Sequence, residues 1–520
     1  MKNKNTTAQP LLRASLDAAE SPGAGVEARL SVVTAALEGA FTVRETAHAA
    51  ETLTHLDSAD WRLLRSGTDL VSNPVSRDLV AHRRDGDPVV QAGGAEPWPA
   101  LVGALADGPV HDLIAGPMGV RALIPFATTR AEVVSYAVLN EDAKTVARVH
   151  WRDVRLDAPI GHRFPGSVEV EGLRGYAAEQ AEVRRRLLRG ASMSIAKETW
   201  LDQLRALPEI GPEQTRRFGM HRDQAATLAV ADALLGYLEV VESTVGGIVD
   251  DVDTEFLHDF RVAVRRTRSV LKLLGGVLPT GMADRIGVEF RWLGDRTTPT
   301  RDLDVYLLGL ADMAASITRP GELDAFGRHL ARKRKAEHQK LVRTLRSRRF
   351  TDLCAGWRSE LGDLLAAPTQ PGQTAGQLAD QQLHRTYRKV AKRAKAIAAD
   401  SPSEEVHALR KTCKEMRYVL DVFRPLCNPK AYKRVIEDFK GLQDVLGEFQ
   451  DGEVQAAALR VFAREMLEAG QVDADAVLAM GELSARFDTQ QRAARETLVA
   501  HHDDYFGPAS AAHVDRLVAS

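Results

Sequence analysis

His258, Arg261, Arg265, Arg268 and Lys272 stand three or four residues apart, and 149 residues later His407, Arg410, Lys414 and Arg417 repeat the series. On a helix, with His258 at 0°, the other four cations of the first set fall within about 80° of it. Phe260, Val264, Leu271 and Leu274 fall on the opposite side, as do Leu409, Cys413, Met416, Leu420 and Phe423 in the second copy. Each helix therefore has an apolar face for a core and a basic face for chemistry. Arginine brings planar, bidentate donors to phosphate oxygens and lysine a compact charge. Histidine adds donors whose charge follows pH. Two matched sets of cations suit a large polyanion.

The same offset, without a gap, aligns Val270-Leu271 with Val419-Leu420, Phe290 with Phe439, Leu293 with Leu442, Asp295 with Asp444, Asp302 with Asp451 and Val305 with Val454. A match this long predicts a duplicated helical unit. The plain alternative is a pair of solvated helix faces balanced by nearby acids. Against it, the acids three or four residues away sit only at the stripe ends (Glu255, Glu404, Asp421), so the middle cations face like charges. A histidine also opens both stripes in the same register. Two further segments are strongly basic: Arg328–Arg349 holds ten cations against Glu337, and Arg385–Lys395 holds six and no acid. So many like charges in one fold repel unless a polyanion neutralises them. Arg332, Arg385, Arg388, Lys392 and Lys411 join the stripes as candidate contacts. Single-strand nucleic-acid binders interleave stacking aromatics with their cations. Here aromatics make up 6% of the chain, with Tyr387 and Tyr418 the clearest beside the cations, and no nucleic-acid recognition motif is present.

The elements that must position these residues follow from the breakers. The chain has 520 residues, enough for two or three domains, and 69 Lys+Arg against 71 Asp+Glu, so any basic surface is local. Cys354, Cys413 and Cys427 form neither a disulfide framework nor a metal spacing. Residues 1–24 read as a flexible tail without a signal-peptide run, and no segment approaches the roughly 18 apolar residues of a membrane span. A soluble cytoplasmic protein is expected. Strand-like runs (Val26–Val33, Val133–Leu139, Val146–Trp151, Ser167–Val170) predict an antiparallel sheet or barrel from about 25 to 175. Ala178–Ala206 reads as helix, followed by a linker at Leu207-Pro208 and Gly211-Pro212. Beyond Met220 the pattern is helical, with breakers at Gly275-Gly276, Thr298-Pro299, Pro320-Gly321, Pro402 and Pro425, and a loop at Ala366–Gln377 between the halves. Asp400, Ser401 or Ser403 is expected to cap the second signature helix.

The segments LHDFRVAVRRTRSVLKLL and VHALRKTCKEMRYVLDVF, with LGDRTTPTRDLDV and LQDVLGEFQDGEV, resemble the CHAD domain, the conserved histidine α-helical domain, over roughly residues 219–508. The resemblance implies two pseudo-symmetric four-helix bundles, with halves near 219–365 and 378–508, around a basic cavity that binds inorganic polyphosphate. It implies association with polyphosphate granules and ligand contacts at His258, Arg261, Arg265, Arg268, His407, Arg410, Lys414 and Arg417. Asp302 and Asp451 would orient arginines.

Residues 25–185 resemble a degenerate CYTH domain, a triphosphate tunnel barrel, through LDSADWRLLRSGTDL, KTVARVHWRDVRL and SVEVEGLRGY. Residues 186–218 would be a helical linker and 509–520 a tail. The expected fold class is thus α+β multidomain: an antiparallel β-barrel-like domain, then an all-α CHAD domain. The CYTH motif Glu-x-Glu-x-Lys is not intact, with Gly25, Glu27 and Arg29 in its three positions. Glu27, Glu169 and Glu171 remain as candidate ligands for Mg²⁺ or Mn²⁺, and Arg29, Arg65, Lys144 and Arg148 as candidate phosphate contacts. Without that activity no cofactor and no catalytic residue is expected. The alternative function is a metal-dependent triphosphatase. His48 and His55, His329 and His338, and His501-His502 have no metal-ligand spacing.

Overall fold

The computed structural model describes residues 12–13, 26–83, 88–93, 97–190, 193–198, 200–207, 210, 219–368, 372–398, 400–500, 513–514 and 516–517. Apart from Leu12 and Arg13, the expected tail 1–24 lies outside the described residues, as do Pro208, Gly211-Pro212 and His501-His502. The chain divides into two compact units, Met1–Arg216 and Arg217–Ser520.

The first unit is built on an antiparallel sheet. Its elements in chain order are β1 (Leu12–Arg13), α1 (Val26–Leu37), β2 (Thr42–Asp57), α2 (Arg62–Arg65), β3 (Thr68–Ser72), β4 (Leu79–Arg83), β5 (Val89–Gln91), β6 (Ala100–Leu101), α3 (Pro109–Met118), β7 (Ala122–Leu139), β8 (Thr145–Ala158), β9 (His162–Arg163), β10 (Ser167–Gly172), α4 (Ala177–Gly190), β11 (Ser194–Ile195) and α5 (Trp200–Ala206). The strand order is β11-β1-β10-β8-β7-β2-β3-β4-β5, with β6 beside β7 and β9 beside β8. The runs Val133–Leu139, Val146–Trp151 and Ser167–Val170 are strands, as their alternation predicts.

Two expectations are corrected here. Val26–Val33 is helix, because its apolar residues continue at three- and four-residue steps through Leu30, Val33 and Leu37. Val33, Ala36 and Leu37 pack with Val183 and Leu187 of α4 on Val134, Tyr136, Val149 and Trp151 of the sheet. Ala178–Ala206 is not one helix; β11 separates α4 from α5. Leu204 of α5, with Trp200 beside it, packs on Ala127, Ala131, Val154 and Leu156 and so covers part of the sheet's other face.

The second unit is helical: α6 (Ala226–Val249), α7 (Thr254–Leu274), α8 (Met282–Ala315), α9 (Asp324–Leu345), α10 (Arg348–Ala366), α11 (Ala375–Ala394), α12 (Ser403–Phe423), α13 (Pro429–Glu468) and α14 (Ala474–Ala500). A shift of 149 residues carries α7 onto α12 at both ends, and the 3-10 turn Gly275–Val277 onto Arg424–Leu426. The duplication is therefore one of structure. Its two copies meet reciprocally: the Ala226 amide donates to the Gln373 carbonyl at 2.9 Å and the Ala375 amide to the Gln224 carbonyl at 2.7 Å. These residues exchange under the shift, as partners do across a two-fold axis. The Tyr306 hydroxyl likewise meets the carbonyl of Gln455, its own counterpart, at 3.5 Å. Leu303, Phe326 and Leu330 from the first copy share a core with Leu459, Met466 and Leu483 from the second.

Pro299 does not break α8, which runs through it. The Thr297 and Thr298 hydroxyls donate to the Gly294 carbonyl at 2.8 and 3.0 Å, and Arg261 donates to it at 3.3 Å. These bonds gather on the carbonyl just before that of Asp295, to which a residue other than proline at 299 would have donated its N–H. The first signature helix is capped by Asp253, which accepts from the Glu255 and Phe256 amides. The second begins at Pro402 with no side-chain cap, so the expected serine or aspartate cap is not formed. At the C-terminus, His513 pairs with Asp438 at 2.8 Å and the Leu517 carbonyl accepts from the Asn428 amide at 3.2 Å, so this part of the expected tail packs on α13.

Candidate functional site: a cationic cleft between α7 and α12

Helices α7 and α12 lie side by side and are joined by two ion pairs. Arg266 meets Asp421 at 3.1 Å, and Lys272 meets Glu415. The 149-residue shift exchanges Arg266 with Glu415 and Lys272 with Asp421. At these equivalent positions the first copy carries cations and the second anions. Glu415 is buried and also accepts from Lys389 of α11 at 2.8 Å. Lys272, expected among the ligand contacts, thus serves the junction of the two copies.

Beside this junction opens a cleft of about 330 Å³ lined by Val262, Arg265 and Arg266 of α7, Arg410, Lys414, Arg417, Tyr418 and Asp421 of α12, and Gln443 and Asp444 of α13. Both basic stripes reach it. Burial pulls Lys414 down from 10.5 to about 8, the cations Arg410 and Arg265 add to the shift, and Asp451 opposes it. Burial also lowers Arg410, with Asp451 opposing and Arg265 adding. Arg261 is lowered to about 10 by burial, against Asp302 and with Arg265, Arg301 and Arg268. These are signs of a site where positive charge is held against its preference.

Most stripe residues are braced from α8 or α13. Arg261 donates to the Thr297 and Thr298 hydroxyls at 2.7 and 2.9 Å. Arg410 donates to Gln450 at 2.8 Å and lies 3.7 Å from Asp451. Arg417 donates to Gln443 at 3.0 Å. In the first copy Gly294 replaces that glutamine, and a Cβ there would come 3.1 Å from the Arg268 guanidinium. Arg265 and Lys414, which are counterparts, make no hydrogen bond or ion pair among the described residues.

The two histidines differ. Arg301 donates to His258 Nδ1 at 3.0 Å; a guanidinium has no acceptor, so that nitrogen carries no proton. His407 Nε2 instead meets the Glu453 carboxylate at 3.0 Å. Arg301 and Glu453 were not singled out from sequence. The repeat contains their signal, since Arg301 aligns with Gln450 and Glu453 with Asp304.

Residues 232–460 match the model of the CHAD domain family. The chain carries a CHAD domain. Among solved structures it is similar to the CHAD domain from the plant Ricinus communis, with 24% identity, 54% of this chain and 95% of that chain covered, and a TM-score of 0.46. It is also similar to PptA from Streptomyces chartreusis, with 15% identity, 52% and 98% covered, and a TM-score of 0.40. No curated protein is matched.

The remaining candidates spread over the CHAD domain rather than gathering at the cleft. Arg332 donates to Gln471 at 2.7 Å on α9, and Arg388 to the His384 carbonyl of its own helix at 3.3 Å. Arg385 and Lys392 are exposed on α11, and Lys411 is exposed on α12. The Arg328–Arg349 run is not a bare polyanion surface. Arg334 pairs with Asp251 and, at 2.8 Å, with Asp304; Lys333 pairs with Glu465; Arg349 pairs with Glu289 at 2.9 Å. These acids come from α8, α13 and the turn between α6 and α7, where a count along the run does not find them.

In the first unit the CYTH-like candidates are also largely paired. Arg29 is buried against Asp153 and Glu132, at 2.5 and 2.9 Å. Glu171 takes Arg148 at 3.2 Å and His150 at 3.3 Å. Although partial burial opposes it, those hydrogen bonds hold the Glu171 carboxyl below its usual range. Lys144 lies 3.6 Å from Asp142; Arg65 and Glu169 are exposed. Glu27 lies in the first turn of α1, its side chain outside the described part. Among the described residues no three His, Cys, Asp or Glu side chains gather to hold a metal ion, and no helix is long and apolar enough to cross a membrane.

Proposed function

We propose that the CHAD domain binds inorganic polyphosphate in the cleft between α7 and α12, by recognition rather than catalysis. The observation that carries this is the pair Arg265 and Lys414, equivalent cations lining the cleft, one from each copy, neither of which makes a hydrogen bond or ion pair among the described residues. Arg266 and Arg410 beside them have Asp421 and Asp451 as acid partners, whereas Arg265 and Lys414 keep their donors for a ligand. Arg261, Arg410 and Arg417 bring nearby donors already oriented by α8 and α13, so little ordering of these three remains to be done on binding. The halves 219–365 and 378–508 would supply one stripe each, and the protein would associate with polyphosphate granules. Tyr418 is the one aromatic lining the cleft, which favours a phosphate chain over stacked bases. The first unit fits a degenerate CYTH-like sheet without triphosphatase activity, its Arg29 and Glu171 being committed to ion pairs.

The test is a titration of the full chain with polyphosphate, single-stranded DNA and duplex DNA over a range of salt. Polyphosphate should bind tightest, and log K should fall against log salt with a slope that counts the cations engaged. Equal affinity for all three polyanions would refute the assignment. Phosphate release from triphosphate with Mg²⁺ or Mn²⁺, lost on Glu171→Gln, would revive the enzymatic alternative.

A further inference from the structure

The cleft sets a lysine amine among arginines, and that combination has a second consequence. Lys414 is half-buried, has Arg265, Arg410 and Arg417 around it, and makes no hydrogen bond or ion pair among the described residues. We propose that Lys414 is a site of covalent acylation by small acyl phosphates, which dock their phosphate on the surrounding guanidinium groups. The proposal rests on the cleft's reading as a phosphate site and adds a way of switching it.

The chemistry needs an uncharged amine and a phosphate leaving group held beside it. Arg265, Arg410 and Arg417 would hold the phosphate, leaving the acyl carbon within reach of Nζ. The nitrogen lone pair attacks the carbonyl carbon and an N–C bond forms. The carbonyl C–O bond to phosphate breaks, the phosphate leaves with that electron pair, and one amine proton passes to it. The products are an amide and hydrogen phosphate, with no other reactant. Lys414 lies lower than an ordinary lysine because burial and the neighbouring Arg410 and Arg265 disfavour its charge, so more of it is free base near neutrality. The groups facing it are Arg265 and Arg266 of α7, Arg410, Arg417 and Asp421 of α12, and Asp444 and Asp451 of α13. Cations predominate, so the ammonium has little to hold it. Acylation would remove the central charge of the cleft and weaken polyphosphate binding.

The experiment treats the full chain with acetyl phosphate near pH 8 and follows each lysine by peptide mass spectrometry. Lys414 should acetylate at least tenfold faster than exposed Lys433, since a lowering of more than two units exposes on the order of a hundred times more free amine near pH 8 and its weaker basicity offsets only part of that. Arg265→Gln should slow Lys414 and leave Lys433 unchanged, and pyrophosphate should protect Lys414 alone. Acetylated protein should lose polyphosphate affinity, whereas Lys414→Arg should keep its affinity after the same treatment. Equal rates at Lys414 and Lys433, or a Lys414 rate indifferent to Arg265→Gln and pyrophosphate, would overturn the proposal. If polyphosphate binds while Lys414 stays slow, acylation alone fails. If polyphosphate does not bind, the cleft's assignment fails with it.

Discussion

At the scale of single residues, the cleft trades stability for binding. Lys414 is charged in the unfolded chain up to about its ordinary value, but in the folded protein only up to about 8. Below about pH 8 both states hold the proton and folding bears the full cost of charging it. Between about 8 and 10.5 the unfolded state binds more protons, so this group makes the free protein more stable as pH rises. Lys414→Met should therefore raise the melting temperature of the free protein near neutrality, by roughly 2 °C. The same change should weaken polyphosphate binding and reduce the salt slope by about one. A bound polyanion acts in the opposite sense, raising Lys414 and taking up a proton. Affinity should thus be full below about pH 8 and decline as pH rises through the bound value, which titrations at a fixed ionic strength will show. A flat profile across that range would remove Lys414 from the contact set.

At the scale of elements, the junction of α7 and α12 depends on Glu415. Burial opposes its charge, but hydrogen bonds from Lys272 and Lys389 hold its carboxyl below the usual range. Its stabilising contribution is present above the ordinary carboxylate value and is lost as pH falls through the lowered one. Glu415→Gln leaves two lysines facing each other and should cost about 2 kcal/mol in chemical denaturation at neutral pH, with a smaller difference at acid pH. The same elements show what the sequence made legible. The stripes, the repeat and the apolar faces were visible because helical periodicity is local, and α7 and α12 occur where that periodicity puts them. The strand expected at Val26–Val33 failed because a short apolar run does not by itself distinguish helix from strand. The break expected at Pro299 is not formed; a proline removes one helix hydrogen bond, and α8 continues through it with its other bonds and its packing intact on either side. The count of ten cations against Glu337 in Arg328–Arg349 misses Asp251, Asp304 and Glu465, which reach Arg334 and Lys333 only through tertiary packing.

At the scale of the whole molecule, the chain divides into two compact units, each with its own core. Calorimetry of the full chain should resolve two transitions, and polyphosphate should raise only the one that Lys414→Met also moves. A ligand shift in the other transition would place the site in the first unit. Within the second unit, the amides of Ala226 and Ala375 reach carbonyls that a half-turn interchanges, and Tyr306 meets its own counterpart. Nucleic acids and peptides have a direction written into their backbones; a chain of identical phosphates has none. A backbone frame that maps onto itself under a half-turn can receive such a polymer with either end leading, although the side chains that meet it differ between the two copies. A directional chain, reversed in the same cleft, would find its groups out of register.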